Sequence, residues 1–332
     1  MKKPTIQKIA TEAGVGTATV ERVLNARGGV SVKTAQKVIL AATQLDWPGR
    51  LPELHRGILK IEVVMVRPET SFFRRLADAF HQISIRLDHS LQIQVVFLDE
   101  SNPETIAQYL SNPESNRSGL VISSTDHPSV TKAVMKLKAE ALPMVQIVTR
   151  FLDGIEYVGI DNYSVGRTAG RMMHLHSTQP GRVIALSNGA SYQVHRERIR
   201  GFSDYIREHA ANELSFDFVA FGSDSASENQ KRIRNQPAHG QPLVGIYNAG
   251  GGMSGVVEEL NGFDGRVSVI GHELNDYTSS ALRDEKIDVI FDQIPELQAQ
   301  RAIDILLSKL GVAYSTVDNS PIRFSTITKE SL

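Results

Sequence analysis

Apolar residues recur at helical spacing in three short stretches near the start of the chain. They are Ile6, Ile9, Ala10 and Ala13, then Val20, Val23 and Leu24, then Val32, Ala35, Val38, Ile39, Ala42 and Leu45. This period predicts three short helices. Thr5 and Ser31 stand where side-chain N-caps are wanted, and Gly14 stands where the first helix must stop. Val15-Gly16 joins the first two helices, leaving Thr17, Ala18, Glu21 and Arg22 on the outer face of the second. Two short helices, a turn containing glycine and a bracing third helix describe a helix-turn-helix.

The period changes after Ile58. Short β-branched runs (Leu59–Val66, Ile93–Leu98, Leu120–Ile122, Met144–Val148, Tyr157–Ile160, Val183–Leu186, Phe216–Phe221, Leu243–Tyr247, Val267–Ile270) alternate with helical patterns. Those helices are expected near Phe72–Leu87, from Pro103, and over Ser129–Ala139, Val165–His176, Val194–Ala210 and Leu297–Leu310. Such alternation predicts an α/β body with parallel sheets covered on both faces. A single sheet of that many strands is improbable on size grounds, so the prediction is two lobes with a ligand cleft between them. The expected divisions are a helix-turn-helix domain at 1–47, a linker at 48–57, and a two-lobed effector-binding and dimerisation domain at 58–332.

Composition sharpens this division. The 332 residues suit about two domains of ~150 residues. With 41 % hydrophobic and 22 % charged residues, the chain does not read as disordered, collagenous or a membrane bundle. No run approaches the ~18 apolar residues of a membrane span. The basic start Met1-Lys2-Lys3-Pro4 runs into polar sequence without an apolar signal core, so a cytoplasmic protein is expected. Absence of cysteine removes disulfides, thiolate metal sites and cysteine nucleophiles together. The net charge of -1 hides an asymmetry: residues 1–60 carry ten Lys and Arg against four acids, leaving 26 against 33 for the rest. A head of +6 on a body of -7 suits a polyanion partner for the head, although a solvated basic face has the same composition.

The head resembles the DNA-binding domain of the LacI/GalR repressor family. The likeness rests on Thr5-Ile6-x-x-Ile9-Ala10-x-x-Ala13-Gly14-Val15, Thr19-Val20-x-Arg22-Val23-Leu24-Asn25 and Val30-Ser31-x-Lys33-Thr34-x-x-Lys37-Val38. It implies double-stranded operator DNA as partner, contacted by Thr5, Thr17, Ala18, Thr19, Glu21, Arg22, Asn25, Lys33 and Thr34. In that family the second helix enters the major groove; an arginine fork there bonds guanine bidentately and Thr and Ala methyls suit thymine. Gly16 and Glu21 depart from the usual pattern, and Glu21 suits a cytosine amino group or the orientation of Arg22 better than a phosphate. Segment 48–57 matches the position of a hinge helix that wedges Leu54 into the minor groove, with Leu51 as the other candidate. Pro52 and the missing alanine-rich pattern leave a plain linker as the alternative.

The body resembles the family's periplasmic-binding-protein-like domain. Its anchors are Ser71-Phe72-Phe73, Gly159-Ile160-Asp161-Asn162-Tyr163-x-x-Gly166, Arg196-x-Arg198-x-x-Gly201-Phe202, Val269-Ile270-Gly271 and Gln293. The resemblance implies a carbohydrate or polyol effector, with Phe72 or Phe73 stacked on the ring. Arg150, Asp161, Arg196, Asn248, Glu273 and Gln293 would bond its hydroxyls, since each hydroxyl both donates and accepts. Glu273 stands where aspartate is commoner. Simpler roles compete: core packing for Phe72 and Phe73, helix capping for Asp161 and Asn162, and a structural ion pair for Arg198. A homodimer is expected because a two-fold operator presents two half-sites. The ending Phe324–Leu332 carries no leucine heptad, so no tetramerising coil is expected.

The strongest rival is an NAD(P)-binding oxidoreductase built on Gly250-Gly251-Gly252-Met253-Ser254-Gly255. This stretch satisfies G-x-G-x-x-G after a strand, with Glu273 at ribose-binding distance. It falls late in the chain and leaves the basic head without a role. A transport-associated sugar-binding protein shares the body's pattern, but needs export and has no use for a DNA-binding head. His195 near Glu197, and His174 with His176, read as solvated helical histidines. No metal-ligand spacing, P-loop or cofactor is expected.

Overall fold

A computed structural model describes residues 4–25, 27–49, 51, 58–88, 90–113, 116–189, 192–236, 240–312 and 317–332, without the side chains of 32, 33, 36 and 43. The head consists of α1 (Ile6–Ala13), α2 (Thr17–Leu24) and α3 (Val32–Gln44). Thr5 caps α1 by accepting from the Lys8 amide at 3.3 Å, and Gly14 ends it in the left-handed region at φ 63°. Ser31 caps α3, accepting from the Thr34 amide at 3.2 Å. The three helices close over Ile9, Val20, Val38 and Ala42, with Trp47 packed against them. Each helix is too short to persist alone in water, so this shared core is what holds it.

The body opens with β1 (Leu59–Val66), α4 (Ser71–Arg86), β2 (Leu91–Leu98), α5 (Pro103–Ser111), β3 (Gly119–Ile122), α6 (Pro128–Ala139), β4 (Met144–Ile147) and β5 (Glu156–Val158). It continues with α7 (Asn162–His176), β6 (Gly181–Ser187), α8 (Gln193–His209), β7 (Leu214–Phe221), α9 (Ala226–Arg234), β8 (Leu243–Asn248) and α10 (Met253–Leu260). The last elements are β9 (Ser268–His272), α11 (Asp276–Arg283), β10 (Val289–Asp292), α12 (Pro295–Lys309) and β11 (Ser325–Ile327). Two sheets result, ordered β2-β1-β3-β4-β5 and β11-β10-β9-β8-β6-β7. All pairings are parallel except that of β11 on β10.

The chain passes from the first lobe to the second after β5 and returns after β10, because α12 packs on α4, β3 and β4 of the first. It crosses once more to reach β11, bridging Ile160 to Ile322 on the way. Helices α7 and α8 meet so closely that a Cβ on Gly166 would lie 2.0 Å from the Arg198 carbonyl oxygen, and one on Gly201 2.1 Å from that of Tyr163. Glycine is required at both places by backbone approach. Among the described residues, no helix is long and apolar enough to cross a membrane.

Candidate effector cleft and DNA-reading face

A cavity of about 620 Å³ lies between the lobes, at the carboxyl ends of the strands. Its walls come from the start of α4 (Phe72, Phe73), the loop after β4 (Thr149), the start of α8 (Tyr192, His195, Arg198), the glycine loop before α10, and the ends of β9 and β10 (His272, Glu273, Gln293). Open α/β sheets bind ligands at this edge, and the volume falls within the range of small-molecule sites.

Arg198 lines the cavity from α8. It is 3 % exposed; Nε donates to Asn162 Oδ1 at 2.8 Å and Nη1 to the Ala249 carbonyl at 2.8 Å. Among the described residues no carboxylate pairs with it, so the expected structural ion pair is corrected to a guanidinium aimed by two neutral acceptors. Burial, ahead of all other influences, lowers its pKa. Glu273 is also buried, and its backbone adopts φ 74°. Its Oε1 accepts from Gln293 Nε2, while Oε2 is buried without a partner among the described residues. Burial pushes this carboxyl up to about 7 against the lowering effect of Gln293. His195 and His272 each present a buried Nδ1 without a partner among the described residues, and burial pulls His195 down to about 4. The cleft is thus a desolvated box of donors and acceptors with Phe72 and Phe73, edge to face at 5.3 Å, as its apolar side. A polyol satisfies such a lining.

The sequence-derived candidates divide sharply. Phe72, Phe73, Glu273 and Gln293 line the cavity together. Arg196 does not. Two residues along a helix are about 200° apart, so Arg198 faces the cleft while Arg196 is exposed beside Phe216 and Phe218. Arg150 points outward, paired with Asp153 at 2.8 Å, because the inward position after β4 belongs to Thr149. Asp161 caps α7, accepting from the Ser164 amide at 2.9 Å, and the next residue, Asn162, faces Arg198. Asn248 supports the glycine loop, donating to the Gly251 carbonyl at 2.8 Å. His195, read as solvated, is 7 % exposed. A sequence signal for Arg198 existed: it lies three residues before Gly201, whose missing side chain marks the inner face of α8.

The glycine loop has a local explanation. The Gly251 amide donates to Asp224 Oδ1 at 2.7 Å, and a Cβ on Gly250 would lie 2.1 Å from the same oxygen. A Cβ on Gly255 would lie 1.9 Å from the Ala226 carbonyl oxygen. These glycines therefore admit an internal carboxylate and the close passage of α9.

On the head, Thr17, Ala18, Glu21, Arg22 and Asn25 are exposed and Thr19 is half-buried, so α2 shows one continuous polar face. Asn25 Nδ2 donates to the Glu21 carbonyl at 2.9 Å, closing the end of α2. Thr5 and Thr34 sit at the first turns of α1 and α3. The Lys33 side chain and Leu54 lie outside the described residues.

The profile for bacterial regulatory proteins of the lacI family matches residues 5–48, and that for the periplasmic binding protein domain matches 61–311. The HTH-type transcriptional regulator DegA of Bacillus subtilis is 26 % identical over 249 residues, covering 71 % of each chain. A sucrose operon repressor of Streptococcus mutans is 25 % identical over 214 residues, covering 62 % of this chain and 64 % of the relative. Among solved structures, a solute binding protein from Burkholderia graminis in complex with D-arabinose superimposes with TM-score 0.72 at 17 % identity, over 82 % of this chain and 96 % of the other. That likeness is one of fold. The relatives bear the names of regulators rather than enzymes, and the oxidoreductase reading is not favoured. With the periplasmic binding protein domain over most of its length, the chain belongs to that domain family, and its head carries the helix-turn-helix of the lacI family of bacterial regulatory proteins.

Proposed function

We propose that this protein is a transcriptional repressor whose hold on operator DNA is switched by a carbohydrate or related polyol in the cleft. The observation that carries this reading is the pairing, in one chain, of a lacI-type head with an exposed α2 face and a polar interlobe cavity lined by Arg198. Relatives named for sucrose and ribose operons support a sugar as the effector class. The reading assigns base contacts to Thr17, Ala18, Glu21 and Arg22, with Thr5, Thr19, Asn25, Lys33 and Thr34 around them and Leu54 as the minor-groove wedge. In the cleft it assigns ring stacking to Phe72 or Phe73 and hydroxyl recognition to Arg198, Glu273 and Gln293.

The active species is a homodimer in the cytoplasm, where operators are. One head makes too few contacts for specific affinity at physiological salt, and two heads match a two-fold operator. Effector binding changes the relation of the lobes and so the placement of the two heads. Operator affinity then shifts by a coupling of ~1–3 kcal/mol.

The test has two arms. A thermal-shift screen with a carbohydrate panel plus NAD and NADP should show stabilisation by at least one carbohydrate and by neither nucleotide. Duplex fragments from the gene's own neighbourhood should be retained selectively, and the stabilising carbohydrate should change that retention. Stabilisation by a nicotinamide nucleotide alone, or retention indifferent to sequence, would overturn the proposal.

A further inference from the structure

Two neighbouring hydrogen-bonded pairs join the lobes on one side of the cleft. Arg67, just after β1 of the first lobe, places Nη2 2.6 Å from Asp224 Oδ2, just after β7 of the second. Tyr192, at the start of α8 in the second lobe, donates its hydroxyl to Glu100, just after β2 in the first. The Arg67 guanidinium lies 5.9 Å from the Tyr192 ring centre and 3.4 Å from Glu100, so the two pairs form one cluster. The side chains of Arg67 and Asp224 are 10 % and 8 % exposed. The contact is therefore largely shielded from water, where an ion pair is stronger than at a surface.

The backbone at this cluster is unusual. Arg67 has φ 60°, Ser223 φ 51° and Asp224 φ 54°, all in the left-handed region that non-glycine residues disfavour. Both partners of the ion pair thus reach each other from unfavourable backbone conformations, a pattern that gathers at clamps and switches. The second lobe also holds the Asp224 carboxylate in place. The Gly251 amide and Asn188 Nδ2 donate to it at 2.7 and 3.2 Å. Arg67 lines both the effector cavity and a neighbouring one of about 590 Å³, so the contact forms the wall between them.

We propose that Arg67–Asp224, seconded by Tyr192–Glu100, is a clasp that holds the two lobes together before any effector enters. It bears on the regulation of the cleft assigned above and rests on that reading for its meaning, while the clasp itself concerns lobe closure alone. Because both ends are protein, closure does not wait for a ligand. The free protein already occupies much of the closed population, and an effector acts on that poised state. Arg75 adds a separate tie beside the crossover, donating to the Leu274 carbonyl at 3.0 Å and to Asp292 at 2.7 Å. Loss of the clasp should therefore loosen one side of the cleft and leave the other joined.

The absence of cysteine makes the test direct. With Glu104→Cys and Ser227→Cys, both exposed and on opposite lobes, the only two thiols of each chain carry spin labels, and dipolar spectroscopy on labelled chain diluted with excess cysteine-free chain reads their separation in protein free of DNA and small molecules. Arg67→Gln and Asp224→Asn should each lengthen or broaden the distribution. The double substitution should do no more than Arg67→Gln alone, because the Arg67–Asp224 pair is already lost there and Arg67 carries the remaining contact to Glu100. Tyr192→Phe, which removes one hydroxyl, should move it less in the same direction. An unchanged distribution in Arg67→Gln with native helicity, or strictly additive shifts, would overturn the clasp. If the chain retained no operator and bound no carbohydrate, the proposed function would fall while these distances still decided this point.

Discussion

At the scale of single residues, the proposed division of labour is tested at three side chains. Arg22→Ala should cost about 1–3 kcal/mol of discrimination between a cognate site and one changed at a single guanine, while leaving effector-induced stabilisation intact. Competition binding with the two duplexes measures it, and equal loss of both activities in folded protein would count against the division of labour. Arg198→Ala should do the reverse, abolishing carbohydrate-induced stabilisation. Arg198→Lys should rescue little, since one ammonium cannot reproduce the fork that meets both Asn162 and Ala249. Glu273 gives a pH signature. Its folded pKa of about 7 lies above the ordinary 4.5, so the folded state retains a proton that the unfolded state has released. Stability should fall as pH rises from about 4.5 through 7 and level off above. The expected loss is on the order of 3 kcal/mol. Urea titrations of wild type and Glu273→Gln should diverge across that window, with the variant gaining at pH 8.

At the scale of elements, close approach decides more than propensity does. Gly166→Ala would place a methyl 2.0 Å from the Arg198 carbonyl oxygen. It should cost upward of about 2 kcal/mol by forcing α7 from α8. Carbohydrate affinity should fall with it, because the displaced backbone carries Arg198; calorimetry on folded variant decides this. The fold was legible from hydrophobic period and punctuation: Thr5, Gly14 and Ser31 bound their helices where expected, and the alternation after Ile58 gave the two lobes. The lining of the cavity was legible at Glu273 and Gln293, where a strand end fixes a direction, and at Phe72 and Phe73, on the first turn of α4. On α8, adjacent arginines differ by a helical rotation that a motif match does not resolve, so Arg196 stood in for Arg198. Asp161 stood in for Asn162 for the same reason, one being the cap and the other the first inward position. The glycine loop offered a rival reading because three glycines serve tight backbone passage as readily as a phosphate, and Asp224, which explains them, lies twenty-six residues before Gly250. The Arg67–Asp224 contact was not legible, since it joins loops far apart in sequence.

At the scale of the whole molecule, charge is segregated, with the head positive and the body negative. If about six phosphates are neutralised, duplex affinity should drop roughly a thousandfold between about 50 and 200 mM salt. The body's negative field should make nonspecific retention of duplex by the isolated body undetectable in a filter-binding assay. The segregation has an optical counterpart. Trp47 is the chain's one indole, and it packs on the helices of the head. Emission excited at the red edge of the aromatic band therefore comes from the DNA-reading end alone, while far-ultraviolet dichroism is dominated by the larger sensor. The protein contains its own domain-selective lamp, by which melting or docking of the reader can be watched against a dark remainder.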